Sequence, residues 1–330
     1  MLTQIARRLF AGILTMLVVA AVAFGIFRHL GDPVVTMAGL EATQEEREAM
    51  RRQLGLDEPQ MLQFGRFVLN VLQGNFGISY NSARSVSSLI AERLPATLEL
   101  VFVASALSLT LGIALGIYTG LNPGTWLTRA ILTASLVGIS LPTFVTGTLL
   151  IYVFTLQLGW LPSFGRGELV DLGGWSSGLF TKTGWQSIIM PAVTLALFQV
   201  TLIQRLTRAE MMEVARADFV RFCRARGLSH RTVYLRHALR NALLPVITIA
   251  GLNIGAVIGF SVVTETIFQW PGMSLLFIDA VRFSDVPVLS AYLILIALIF
   301  TLINISIDLL YVAIDPRLRG RGPGLAAHGS

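Results

Sequence analysis

The chain has 330 residues, of which 54% are hydrophobic and only 13% charged, with a formal net charge of +6. A soluble globular domain carries about a quarter charged residues, so this sequence lacks the polar residues to cover a soluble surface and reads as an all-α, polytopic helical membrane protein. A single cysteine, Cys223, excludes an internal disulfide and any multi-cysteine metal site.

About 30 Å of hydrocarbon needs roughly 20 apolar residues in a helix, and six runs of that kind are expected. The first, about Leu9 to Phe27, follows "ARR" and is too long for a signal-peptide core. A long mixed stretch, Gly31 to Pro95, comes next. Within it "TQEEREAMRRQLGL" reads as a solvated helix, with Thr43 as N-cap and Glu46 three residues on. The second span, about Thr97 to Leu121, ends at the turn signal "NPG". The third, about Ala130 to Leu158, carries Pro142. Gly159 to Trp185 is rich in Gly, Ser and Trp and reads as irregular structure at the membrane surface. The fourth span is about Ser187 to Leu206 and contains Pro191, the fifth about Leu243 to Phe268, and the sixth about Val286 to Val312. Pro142 and Pro191 are expected to kink their helices. The chain then divides into a tail and first span (1–30), an extracytoplasmic segment (31–95), a core of five spans (96–312) and a cytoplasmic tail (313–330).

Short-loop Lys and Arg set orientation. With the N-terminus inside, fifteen of the 25 basic residues fall inside, nine of them arginines between Arg205 and Arg240. Seven more lie between Arg28 and Arg93, in a segment long enough to translocate regardless of charge. Both termini are therefore expected in the cytoplasm, and the positive charge reflects orientation. Nucleic-acid binding fits less well, because no soluble domain is large enough to carry it. The histidines His29, His230, His237 and His328 are scattered without acidic or cysteine neighbours, so no metal site is expected.

The cytoplasmic segment "RADFVRFCRARGLSHRTVYLRHALRNALLP", Arg216 to Pro245, holds seven arginines. Met211 to Arg226 fits one helix with Met211, Ala215, Phe219, Phe222 and Cys223 on a shared face. Gly227 then ends it, as glycine does where a left-handed turn is needed. Ser229 can cap a second helix whose apolar face is Leu235, Leu239, Ala242 and Leu243, and Pro245 marks its junction with the fifth span. The physics of this segment admits two readings: a basic amphipathic surface on anionic lipid, or a dock for a cytoplasmic partner.

"RFCRARGLSHRTVYLRHALRNALLPVIT" resembles the cytoplasmic coupling loop of ABC-transporter permeases of the binding-protein-dependent importer type, most closely the dipeptide/oligopeptide/nickel branch. "TETIFQWPGMSLLFIDAV" with "SDVPV", "GDP" at Gly31 to Pro33, "LPATLEL" at Leu94 to Leu100 and "DPRLR" at Asp315 to Arg319 agree in order along the chain. Cys223 stands where alanine is the family's usual residue, and Arg221 where the wider superfamily often has glutamate.

The resemblance implies a type I importer permease fold and a coupling loop at about 207–245 seated on a separate ATPase. It implies contacts through Asp218, Arg221, Cys223, Arg224, Ala225, Gly227, Leu228 and Ser229. It implies as partners a second homologous permease, one or two ABC ATPase subunits carrying the ATP and Mg, an extracytoplasmic substrate-binding protein, and the lipid of a bacterial inner membrane. No cofactor is expected in this chain itself. The cargo implied is a di- or oligopeptide, with nickel complexes, glutathione or sugars as alternatives, and an ABC exporter as the neighbouring class.

Enzymatic readings find no support in the motifs. No G-x-x-x-x-G-K-[ST] phosphate cradle is present, the only lysine is Lys182, and neither G-x-S-x-G nor H-E-x-x-H occurs. The rival from another class is an ion-coupled secondary transporter, which needs ionisable groups in the bilayer. Glu99, Glu265 and Asp308 are the candidates. Asn253 and Asn304 read as interhelical hydrogen-bond partners. For the translocation path, Asn253, Glu265 and Asp308 are the residues the sequence offers.

Overall fold

A computed structural model describes residues 2–29, 34, 43–53 and 57–314 of the chain. The "GDP" and "DPRLR" motifs, the 313–330 tail beyond Ile314 and His328 lie outside the described residues, as does the side chain of Asp308. The described chain is mostly helical and divides into two compact units. One comprises residues 1–97, 171–176 and 271–302, and the other residues 98–170, 177–270 and 303–330. Helices α4 and α11 below contribute residues to both.

In the first unit, α1 runs over Leu2–His29 and α2 over Gln44–Gln53. The expected capping box forms at α2. The Thr43 N–H donates to Glu46 Oε2 at 2.9 Å, and the Glu46 N–H donates to Thr43 Oγ1 at 3.4 Å. The Thr43 backbone bond, with the Thr43 side chain behind it, holds the Glu46 carboxyl below its ordinary pKa. Helix α3, Gln60–Leu72, meets α1 through aromatic rings, Phe24 lying 5.5 Å from Phe64 and 5.9 Å from Phe67.

Helix α4 covers Val86–Leu121, so it begins eleven residues before the expected span. Ser, Glu and Arg lower the hydropathy of that early part. Its apolar positions still repeat at helical spacing, and Val86, Leu89 and Ile90 are buried. They pack with Met273 and Ala280 of α10 (Met273–Arg282) and with Val288, Leu289 and Tyr292 of α11 (Val286–Ile314). Nearby, the Asp285 carboxylate accepts from Ser79 Oγ at 2.5 Å and from the Tyr80 N–H at 3.2 Å, pinning the chain ahead of α4.

In the second unit, α5 spans Trp126–Ser140, capped by Thr125 Oγ1, which accepts from the Thr128 N–H at 3.3 Å. Leu141 then turns extended, at φ −82° and ψ 125°, as the residue before a proline prefers. Helix α6, Thr143–Leu150, sets off at 108° to α5 and continues as a π-helical stretch, Ile151–Gln157. The third expected span is therefore a broken pair rather than one kinked rod. The loop that follows contains two short strands, β1 (Val170–Asp171) and β2 (Ser176–Ser177). Helix α7 runs unbroken through Pro191 over Lys182–Val214, and α9 over Leu239–Ile267 is its most extensive neighbour. At 1.5 Å per residue α7 is longer than a bilayer core, so it reaches from the membrane into the arginine-rich segment.

A stripe of small residues brings α4 against α7. Gly112, Gly116 and Gly120 recur every four residues, on one face of α4. A Cβ at Gly116 would lie 2.4 Å from Thr207 Cβ and 2.8 Å from the Gln204 carbonyl oxygen. The equivalent atoms at Gly112 and Gly120 would meet Ile203 Cβ at 2.8 Å and Met211 Cβ at 2.9 Å. Backbones this close are how helices associate where lipid gives no hydrophobic drive. Gly116→Ala is expected to lose about 1–3 kcal/mol by overpacking, seen as a lower thermal midpoint of the detergent-solubilised protein. Gly124→Ala, whose new atom meets nothing within 4 Å, is the silent control.

Among the described residues four helices are long and apolar enough to cross a membrane: Val86–Leu121, Lys182–Val214, Pro245–Ile267 and Val286–Ile307. The bent pair α5 and α6 makes a fifth if it counts as one span, and Phe10–Gly25 is a shorter apolar stretch.

Candidate functional site

The arginine-rich segment is built on the end of α7. Ala215 to Ala217 close it with turn bonds of 3.0–3.1 Å to Met211, Glu213 and Val214. A new helix, α8, then covers Asp218–Ala225 with its one acid in the first turn, where the helix dipole favours it. The single helix expected from Met211 to Arg226 is thus two, and the break rotates α8 relative to α7. In consequence Val220 is buried and Cys223 half-buried, while Phe219 and Phe222, expected on the same face as Cys223, are exposed, Phe222 by 57%. Val220 and Cys223 pack on Val233, Tyr234 and Ala238, with Leu121 and Val214 beside them.

The turn itself follows its residues. Gly227 has φ +77°; its N–H donates to the Arg224 carbonyl at 2.9 Å, and the Leu228 N–H donates to the Cys223 carbonyl at 3.3 Å. That pair of bonds is the Schellman ending of a helix. Ser229 Oγ then accepts from the Thr232 N–H at 3.3 Å and caps the next helical piece. This piece is π-helical over Thr232–Ala238 before α9 begins. The wider turn shifts the register: Val233, Tyr234, Ala238 and Ala242 are buried, Leu239 and Leu243 half-buried, and Leu235 is exposed rather than on the inner face. Pro245 lies inside α9, where the part long and apolar enough to cross a membrane begins.

The outward surface of the segment combines apolar side chains and cations. Phe219, Phe222 and Leu228 are exposed. Arg226 stacks over the Phe222 ring at 4.7 Å. Arg221 lies 3.5 Å from Asp218 with both side chains in solvent, a pair worth little to stability. Arg224, Ala225, Gly227 and Ser229 are exposed beside them, and the His230 ring sits 4.4 Å from that of Tyr234. Such a surface can hold an apolar anchor in a partner's groove and steer it by charge.

The other candidates are dispersed. The Asn253 side-chain amide donates to the Ile249 carbonyl at 2.8 Å within its own helix, not across helices. Glu265 is fully buried near the end of α9. Glu99 is buried in an ion pair with Arg166, Oε2 to Nη2 2.6 Å, and the Gly178 N–H approaches the same oxygen at 3.4 Å. Sequence reasoning named Glu99 but missed Arg166; the sole arginine in a glycine-rich loop was the available signal. It also missed the cavity in the elbow between α5 and α6. This space of about 200 Å³ is lined by Leu141, Thr143, Thr146, Phe198, Gln199 and Phe260, among others. No cluster of three metal-ligating side chains occurs among the described residues.

Residues 112–320 match the model of the family described as binding-protein-dependent transport system inner membrane component, and residues 1–101 match that family's N-terminal model. The chain belongs to this family. Permeases named glutathione transport system permease protein GsiC, from Salmonella paratyphi A and Escherichia coli K12, are each 39% identical over 321 residues, covering 97% of this chain and 99% of theirs. An inward-facing structure of the MetNI methionine ABC transporter matches with a TM-score of 0.55 at 17% identity, over 69% of this chain and 96% of that one. It supports the fold alone. The protein is an integral inner-membrane permease subunit of an ABC importer, of the dipeptide/oligopeptide branch. It is a transport component and not an enzyme, and membership implies a separate ATPase and a substrate-binding protein.

Proposed function

We propose that this chain forms half of the membrane path of an importer for peptides, glutathione included, and that residues 207–245 couple it to the ATPase. The observation that carries the coupling role is the outward ridge of Phe219, Phe222 and Leu228 around the Gly227 turn, rimmed by Arg221, Arg224 and Arg226. Lipid would want those apolar groups facing a membrane plane. A rigid Schellman turn with an exposed aromatic on one side suits a protein groove better. The peptide cargo is carried over from the permeases that resemble the chain along nearly its whole length.

In this reading six spans cross the membrane with both termini in the cytoplasm. The four long helices, the α5–α6 pair and Phe10–Gly25 supply them, and the arginines of the short loops orient them. A second, homologous permease completes the path, one or two ATPase subunits carry ATP and Mg, and this chain holds no cofactor. Purification of the tagged chain from its native membranes is the test. A second permease, a P-loop ATPase and an extracytoplasmic receptor are expected by mass spectrometry, and the receptor's bound solute identifies the cargo. Recovery of the chain alone, folded and in good yield, would reject the coupling role and favour an ion-coupled transporter.

A further inference from the structure

The elbow cavity has the features of a ligand site. The N-terminus of α6 opens beside it, with Thr143 and Thr146 among its lining residues. The N-cap is Pro142, which offers no side-chain cap, so the first amide N–H groups of α6 lack helical partners. Across the cavity stands Gln199 of α7. Its side chain is only 4% exposed and lines the space, yet its amide bonds no described residue. A side-chain amide that lines a cavity can both donate to and accept from something polar bound there. Phe198 and Phe260, with ring centroids 6.4 Å apart, supply an apolar wall.

We propose that this cavity is a substrate subsite that takes one amide-bearing end of a peptide. The free N–H groups of α6 receive its terminal carboxylate, and the Gln199 amide both donates to and accepts from its peptide bond. Broken helices in membranes turn their N-termini toward anionic ligand groups for the same electrostatic reason, and irregular backbone is tolerated there because it lines a cavity. The volume of about 200 Å³ is below the ~300–1,000 Å³ of sites that enclose a drug-sized ligand, so it receives a dipeptide-sized part and not a long chain. The side chain of that part rests on Phe198 and Phe260. This inference rests on the peptide-importer reading for the identity of its ligand.

The test uses the complete complex in proteoliposomes, with its binding protein and ATP, and tritiated glycyl-leucine and glutathione as probes. Gln199→Met keeps the length of the side chain and removes both hydrogen-bonding functions. It is expected to lower uptake at least about tenfold, since a site built for hydrogen bonds discriminates strongly when one side of them is missing, while ATP hydrolysis stimulated by the loaded binding protein is retained. Gln199→Asn is expected to recover part of the uptake. Uptake by Gln199→Met within about twofold of the unmodified complex, for both probes, overturns the subsite and leaves the importer reading standing.

A second arm needs no transport. In a Cys223→Ser background, alkylation of Thr143→Cys by N-ethylmaleimide is expected to slow in excess glycyl-leucine. An unchanged rate overturns the proposal, and this arm decides it if Gln199→Met fails to assemble. If the unmodified complex moves neither probe, the peptide cargo is wrong, and protection by glycyl-leucine still separates a real subsite from a cavity that holds only water.

Discussion

Gly227→Arg is expected to insert into the membrane in normal amount and to leave uptake at background. Gly227 sits at φ +77°, and an added Cβ would meet nothing within 4 Å. The folded chain therefore tolerates the bulk and pays only the left-handed backbone, about 1–2 kcal/mol for a residue with a Cβ. Gly227→Ala carries the same backbone strain without the long cationic side chain. If the turn presses into a groove of the ATPase, alanine keeps much of the uptake and arginine abolishes it. If strain alone mattered, the two variants would behave alike. Gly227→Asn, a residue that visits this conformation more readily, is expected to sit nearest the unmodified protein. Uptake and membrane content are measured together in the same cells, and normal uptake by Gly227→Arg would show that the coupling turn lies elsewhere.

Features written in consecutive residues were legible in the sequence. The Thr43–Glu46 box, the glycine that ends α8 and the Ser229 cap all depend on partners within five residues, and all three stand where the residues put them. The last helix begins at the expected Val286 and ends within two residues of the expected boundary, because its sequence is strongly apolar over most of its length. Features that depend on distant chain were not legible. Pro142 announced a disturbance, but whether a proline bends or breaks a helix depends on what receives the freed ends, and here the result is a 108° elbow. The exposed side of α8 could not be read from spacing continued out of α7, since three turn residues reset the rotation. The stripe of Gly112, Gly116 and Gly120 takes its meaning from α7, a distant segment that packs on it. In the candidate site the turn and its cap were recoverable, and the choice of Phe219, Phe222 and Leu228 as the outward ridge came only with the structure.

The buried ion pair gives the largest expected loss of stability. Glu99 and Arg166 are each only 4% exposed, 2.6 Å apart and separated by 67 positions in the chain. Arg166→Met takes this cation away from the buried carboxylate, and Glu99→Leu takes this carboxylate away from the buried guanidinium. Removing one member of such a pair costs about 3–5 kcal/mol, whereas replacing both by apolar groups is often neutral. Each single variant is therefore expected to show a much lower thermal midpoint in detergent, and Glu99→Leu with Arg166→Met together to recover most of it. The Gly178 N–H also points at the Glu99 carboxylate, 3.4 Å from Oε2, so loss of the pair frees the loop that joins it to α7, and protease cleavage between residues 166 and 181 should rise in the single variants. The same pair of substitutions addresses the ion-coupled alternative. A carboxylate serving as a proton relay cannot be replaced by leucine in any background, while a structural ion pair can be. ATP-driven uptake that survives in the double variant assigns Glu99 to architecture. Single variants as stable as the unmodified protein would show that the pair contributes little, and the loop would then need another anchor.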